Sequence, residues 1–209
     1  MESARIQPQD PPPAENASPS TWKPADPGPL GLGAFAMTTF VLSMFNSNLV
    51  DPKGLPVVLG LALAYGGIVQ LLAGMWEFRT GNTFGALAFC SFGAFWISFW
   101  ALQVFYAKEI GGNAGHAVGV YLWAWAIFTA YMTVAALRVS GAVLLVFVLL
   151  TITFVLLAVG AVGAHETVTH WGGYLGLATA AAAWYASFAA VTNSTFGRTV
   201  LPVMPLGGR

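Results

Sequence analysis

An all-α membrane protein, a bundle of six transmembrane helices, is the fold class this sequence predicts. Three observations point to it. Hydrophobic residues make up 57% of the 209 positions and charged residues only 8%, against about 25% charge in a soluble domain. The mean hydropathy is +0.71. The apolar residues fall into six runs, each close to the ~20 residues a helix needs to cross a bilayer. None of the runs alternates apolar and polar in the manner of a barrel strand. A 22.0 kDa globule cannot hide this much apolar surface, so the lipid bilayer is its solvent. A net charge of zero gives no footing for a nucleic-acid partner. Cys90, the single cysteine, excludes a disulfide framework within one chain, and no zinc-ligand spacing is present. No cofactor or metal is expected.

Taken in order, residues 1–29 hold eight prolines and no apolar run. They lack the apolar core of a signal peptide and read as a disordered Pro-rich tail. A six-helix transmembrane domain follows over 30–195, with a short C-terminal tail over 196–209. The spans are expected at Leu32–Val50, Leu55–Trp76, Thr83–Tyr106, Ala117–Leu137, Ala142–Ala164 and Trp171–Val191. The breaks between them are short and rich in turn residues, as in "DPKG" (51–54), "RTGN" (79–82) and "RVSG" (138–141). Six spans put both termini on one side, which collects Arg5, Lys23, Arg79, Arg138, Arg198 and Arg209, against Lys53 and Lys108 on the other. That asymmetry predicts a multi-pass plasma-membrane protein with N- and C-termini in the cytoplasm.

Polar groups inside the lipid zone are costly unless they line a path or find a partner. At 100° per residue, Phe35, Thr38, Thr39, Leu42 and Asn46 share one face of the first span. Gln70 is an isolated amide roughly 9 Å from the end of the second. Phe92, Trp96, Phe99, Gln103 and Tyr106 form an aromatic stripe on the third. Each position alone reads more readily as helix packing. Together they outline a narrow path, with Thr38, Thr39, Asn46, Gln70 and Trp96 as candidate substrate-binding residues. No fixed charge falls near the middle of a span. Glu77 reads as the end of the second span, beside Arg79, and Glu109 and Glu166 as loop residues. No buried carboxylate relay is expected, and the substrate should be small with little charge. The sixth span is dense in small residues, including Gly172, Gly173, Gly176 and Ala180–Ala183. Such faces allow close approach and point to contacts between copies.

"DPGPLGLGAFAMTTF" (26–40) resembles the N-P-x-P-L-G-L-x-x-F signature of the acetate uptake transporter family, the succinate–acetate permeases of bacteria and their fungal relatives. Asp26 stands where that signature has Asn. "YGGIVQLLAGMWEFRTGNTFG" (65–85), "SFGAFW" (91–96), "GVYLWAWAIFT" (119–129) and "FGRTVLP" (196–202) resemble the same family, in the same order. The resemblance implies a six-helix protomer in a homo-oligomer, a hexamer, with a pore inside each protomer. It implies transport of acetate, and in some members succinate, described as proton symport, although some members have been viewed as anion channels. The partners are then a small carboxylate, protons and the bilayer. An apolar constriction is implied at Phe35, Phe92 and Leu150, the middle position being often Tyr in relatives. Pro29, Gly31 and Gly33 fit a helix mouth whose free N–H groups suit a carboxylate.

A passive channel for small acids or their anions is the first alternative. A non-transport membrane sensor or haem carrier is the second. His116, His165 and His170 fall at helix ends or in loops, and no soluble output domain is expected. No nucleotide signature or catalytic triad points to an enzyme.

Overall fold

The computed structural model describes residues 22–107, 109 and 114–207. The expectations for residues 1–21, and for Arg5, Lys108 and Arg209 in the charge count, lie outside the described residues. Six helices are long and apolar enough to cross a membrane: α1 Gly28–Asn46, α2 Val57–Thr80, α3 Thr83–Tyr106, α4 Ala114–Ala136, α5 Gly141–Gly163 and α6 Glu166–Phe196. Among the described residues there is no strand, only an isolated bridge between Ser140 and Pro205.

The helix ends follow local chemistry. Asn82 caps α3 by accepting the Gly85 N–H at 3.0 Å, and Ser140 caps α5 through the Val143 N–H at 3.2 Å. Gly81, with φ 78°, ends α2 in the left-handed conformation that stops a helix. Only α3 has the expected bounds; α2, α4 and α5 differ by one to four residues at their ends, and α1 and α6 differ for identifiable reasons. α1 begins at Gly28 rather than Leu32, because Pro29 occupies its first turn. α6 runs 31 residues, well beyond Trp171–Val191. Hydropathy detects the part that lipid covers, whereas the polar ends of α6 remain helical outside it.

α1 packs along α6, α5 lies between α4 and α6, and α2 pairs with α3. Small residues let these helices meet. A Cβ on Gly172 would fall 2.8 Å from Leu157 Cδ2, and Gly173 abuts the backbone of Asn46 and Ser47. The outer faces are apolar: Val120, Ile127 and Val134 recur every seven residues along α4 and are about two-thirds exposed. The protein is a multi-pass membrane protein, and this is the face such a helix turns outward.

The end of the bundle that holds residues 22–27 and the C-terminus is called the lower end below. Its C-terminal segment crosses the α4–α5 corner. Met204 O accepts the Gly141 N–H at 2.7 Å, and Leu206 N–H donates to Val139 O at 3.2 Å. Asn193 pins the start of this strap, accepting from Val200 and Leu201 N–H and donating to Leu201 O.

α2 and α3 each contain a π-helical turn, at Ala64–Val69 and Leu102–Tyr106. The first lies at Gly66 and Gly67, where a Cβ would come within 2.8 Å of Thr38 Cβ and 2.7 Å of Ile97 Cγ1. A π turn holds an additional residue and so re-phases whatever follows it. The residue that follows is Gln70.

Candidate functional site: two cavities and an apolar layer

Two cavities lie inside the bundle. The lower one, about 210 Å³, is lined by Asp26, Phe35, Gln70, Glu77, Phe92, Ser140, Phe147 and Leu150, among others. The upper one, about 330 Å³, is lined by residues that include Phe35, Thr39, Asn46, Trp96, Gln103, Tyr121, Leu150 and Thr153. Phe35 and Leu150 face both, and Phe92 faces the lower one. The Phe92 ring stands 5.7 Å from Phe35, 5.3 Å from Phe128 and 6.0 Å from Phe147, measured between centroids. Four helices, α1, α3, α4 and α5, thus close an apolar layer between two hollows.

The polar groups are few and specific. Among the described residues, three buried side-chain polar atoms lack a hydrogen-bond partner: Thr39 Oγ1, Gln70 Oε1 and Trp96 Nε1. All three belong to residues that line the cavities. An unpartnered buried polar atom costs about 1–3 kcal/mol, so the three residues that carry these atoms along the cavity walls are the ones a polar guest would relieve. The upper cavity offers the Thr39 hydroxyl and the Trp96 indole N–H, which suit a carboxylate oxygen. The lower cavity offers the Gln70 amide, 1% exposed.

The α1 face expected from sequence divides in the structure. Phe35, Thr39, Leu42 and Asn46 line the upper cavity. Thr38 lines neither cavity. Its hydroxyl donates to Ala34 O at 3.0 Å, and its side chain abuts Gly66 of α2. It lies 100° around the helix from Thr39, enough to move it from the hollow to the helix contact. The α3 stripe divides by height: Phe92 faces the lower cavity, Trp96, Phe99 and Gln103 the upper. Tyr106 lies beyond and is exposed.

Glu77 corrects the sequence reading. It is 2% exposed and lines the lower cavity. Its Oε2 accepts the Thr80 hydroxyl at 3.1 Å. A Cβ on Gly85 would fall 2.6 Å from its carboxyl carbon, so the absent side chain of α3 makes its niche. Arg79 turns away, its guanidinium 5.8 Å from the Trp22 ring centre. The mouth of α1 also differs from expectation, since the chain supplies its own anion there. Asp26 Oδ1 accepts the Gly28 N–H at 2.8 Å, a placement that the helix dipole favours.

This architecture has relatives. Residues 9–208 match the family model described as the GPR1/FUN34/yaaH family. The chain is 39% identical over 184 residues to the succinate-acetate/proton symporter SatP of Escherichia coli K12, covering 87% of this chain and 96% of that protein. It is 42% identical over 195 residues to acetate permease A of Emericella nidulans, covering 86% of this chain and 65% of that protein. It is also 42% identical over 188 residues to accumulation of dyads protein 2 of Saccharomyces cerevisiae, covering 87% and 66% respectively. The chain therefore spans just under two thirds of the length of these fungal relatives. A solved structure, that of the bacterial acetate channel SatP, superposes with a TM-score of 0.80 at 38% identity, covering 87% of this chain and 99% of that one. By sequence and by fold, the chain belongs to the GPR1/FUN34/yaaH family.

Proposed function

We propose that the protein carries acetate and related small carboxylates across the plasma membrane through a pore in each protomer, with both termini in the cytoplasm, and that it is a transporter rather than an enzyme. The observation that carries this reading is the pair of hollows meeting at Phe35 and Leu150, with unpartnered polar atoms on both sides. Relatives named as an acetate permease and a succinate-acetate/proton symporter support the substrate class. Phe35, Phe92 and Leu150 form the constriction, and Thr39, Asn46, Gln70 and Trp96 contact the carboxylate or its water. Such a layer passes a neutral acid more readily than a hydrated anion, which favours proton symport. Thr38 serves the scaffold through its α1–α2 contact.

The test is uptake of labelled acetate into proteoliposomes. Uptake above protein-free liposomes that falls with competing short acids supports the reading; uptake equal to protein-free liposomes overturns it. A channel is the second reading, favoured by the solved relative being described as one. Flux that persists with the pH gradient collapsed and the voltage clamped would identify a channel. A homo-oligomer, a hexamer, is proposed from the family resemblance alone, since Gly172, Gly173 and Gly176 of α6 are taken up in contacts within the protomer. Native mass spectrometry showing monomer alone would refute it.

A further inference from the structure

The lower cavity contains two carboxylates that an anion pathway does not obviously need. A Cβ built on Gly28 would lie 3.0 Å from Asp26 Oδ1 and 3.6 Å from Glu77 Oε1, so the two groups flank a single glycine at the mouth. Glu77 is buried and Asp26 is exposed. Among the described residues, no lysine, arginine or histidine lines the cavity. From α3 the facing polar group is Asn82, from α5 Ser140, both neutral. From α6 Ala186 and Ala190 face it. Arg79 is stacked on Trp22, and Lys23 is exposed. Two unneutralised carboxylates would repel a departing acetate, unless the pair takes up a proton between them. A second observation points to a guest in the same cavity: the Gln70 amide oxygen is buried and unpartnered there. Gln70 and Glu77 are seven residues apart on one helix, hence about 10 Å apart along its axis.

We infer that Glu77 and Asp26 are a proton-accepting pair that strips the proton from a carboxylic acid reaching the lower cavity and releases it to solution. The inference rests on the transport reading above. Gln70 accepts a hydrogen bond from the acid's O–H and holds the neutral form. At Glu77 the acid's O–H bond breaks, and the proton forms a new O–H bond on a Glu77 carboxylate oxygen. The substrate is left as its carboxylate. The proton passes to Asp26, whose Oδ2 is free of the Gly28 N–H bond, and from there to water or buffer. The sum is one acid in, one carboxylate and one proton out, and the same steps run in reverse.

The experiment compares the full-length protein with Glu77→Gln, Glu77→Asp and Asp26→Asn in proteoliposomes, measuring labelled acetate uptake against pH on the lower side. Monodispersity in detergent and helix content check each fold. A single-proton requirement changes the rate by up to about tenfold per pH unit on its limiting side. Glu77→Gln should flatten that slope to less than about twofold per unit, and Glu77→Asp should restore it. Asp26→Asn should lower uptake and bring the slope between those of the parent and Glu77→Gln, because the group that hands the proton to solution is gone. A folded, active Glu77→Gln protein with the parental slope overturns the inference and leaves acetate transport standing. If Glu77→Gln does not fold, an Asp26→Asn profile that coincides with the parent overturns it instead. Parental uptake no greater than protein-free liposomes would refute the transport reading itself.

Discussion

The two cavities share walls but not chemistry. The upper one is lined by hydroxyls, amides and an indole, and none of its lining residues among the described ones is charged. The lower one holds a buried Glu and an exposed Asp, with a single amide between them and the apolar layer. Both abut Phe35 and Leu150, so on the proposed reading a permeating acid would meet neutral donors on one side and acidic groups on the other. A path that only filtered by size would need no such asymmetry. On the proposed transport reading, the difference assigns selection by shape and hydrogen bonding to the upper side of the layer, and handling of charge to the lower.

The comparison breaks most completely if the layer is removed. Leu150→Ala should join the two hollows and raise the uptake ratio of a longer acid, such as hexanoate, to acetate by about tenfold, equivalent to ~1.4 kcal/mol. The same change costs roughly 2–5 kcal/mol of stability if the surroundings do not collapse, so the ratio is measured on monodisperse protein. An unchanged ratio would locate the filter elsewhere.

A smaller effect sharpens the lower side. Gln70→Leu should reduce acetate uptake about fivefold to tenfold, from loss of one hydrogen bond worth ~1 kcal/mol or slightly more, with folding retained because Oε1 has no protein partner to lose. On the upper side Trp96→Phe removes only an indole N–H. It should cost about threefold in uptake and leave the pH profile unaltered, in contrast to Glu77→Gln. Thr38→Val should do least, within about twofold of the parent, since its hydroxyl bonds its own helix at Ala34 O. A large loss of acetate uptake in stable Thr38→Val protein would return Thr38 to the path.

Much of this was legible in the sequence. Lipid imposes one rule on every span, so six apolar runs and their turn residues mark six helices. Thr39, Gln70 and Trp96 are conspicuous because a polar atom in an apolar run must go somewhere, and all three lie against the hollows. Thr38 was less legible, because adjacent residues on a helix point 100° apart and only the position of Gly66 on a neighbouring helix decides which one packs. Glu77 was misread for a related reason. Three residues from the end of α2 and two from Arg79, it has the local pattern of a solvated helix terminus. Its burial depends on Gly28 and Gly85, which lie on other elements and contribute by having no side chain. The register of Gln70 depends on the π turn before it, and hydropathy does not record an additional residue in a turn. The C-terminal strap depends on Asn193 and Tyr185 reaching across to Leu201 and Pro202.

Phe35 and Leu150 face both hollows, which makes the barrier between them about one side chain thick. When each hollow holds water and ions, the membrane's electric field does not fall evenly along the helices. It concentrates across that single layer. A bare carboxylate crossing the layer moves through nearly the whole potential in a few ångströms, at about 2.3 kcal/mol per 100 mV, whereas a neutral acid is indifferent to it. The thinness of the layer therefore makes current–voltage behaviour a direct readout of which species crosses.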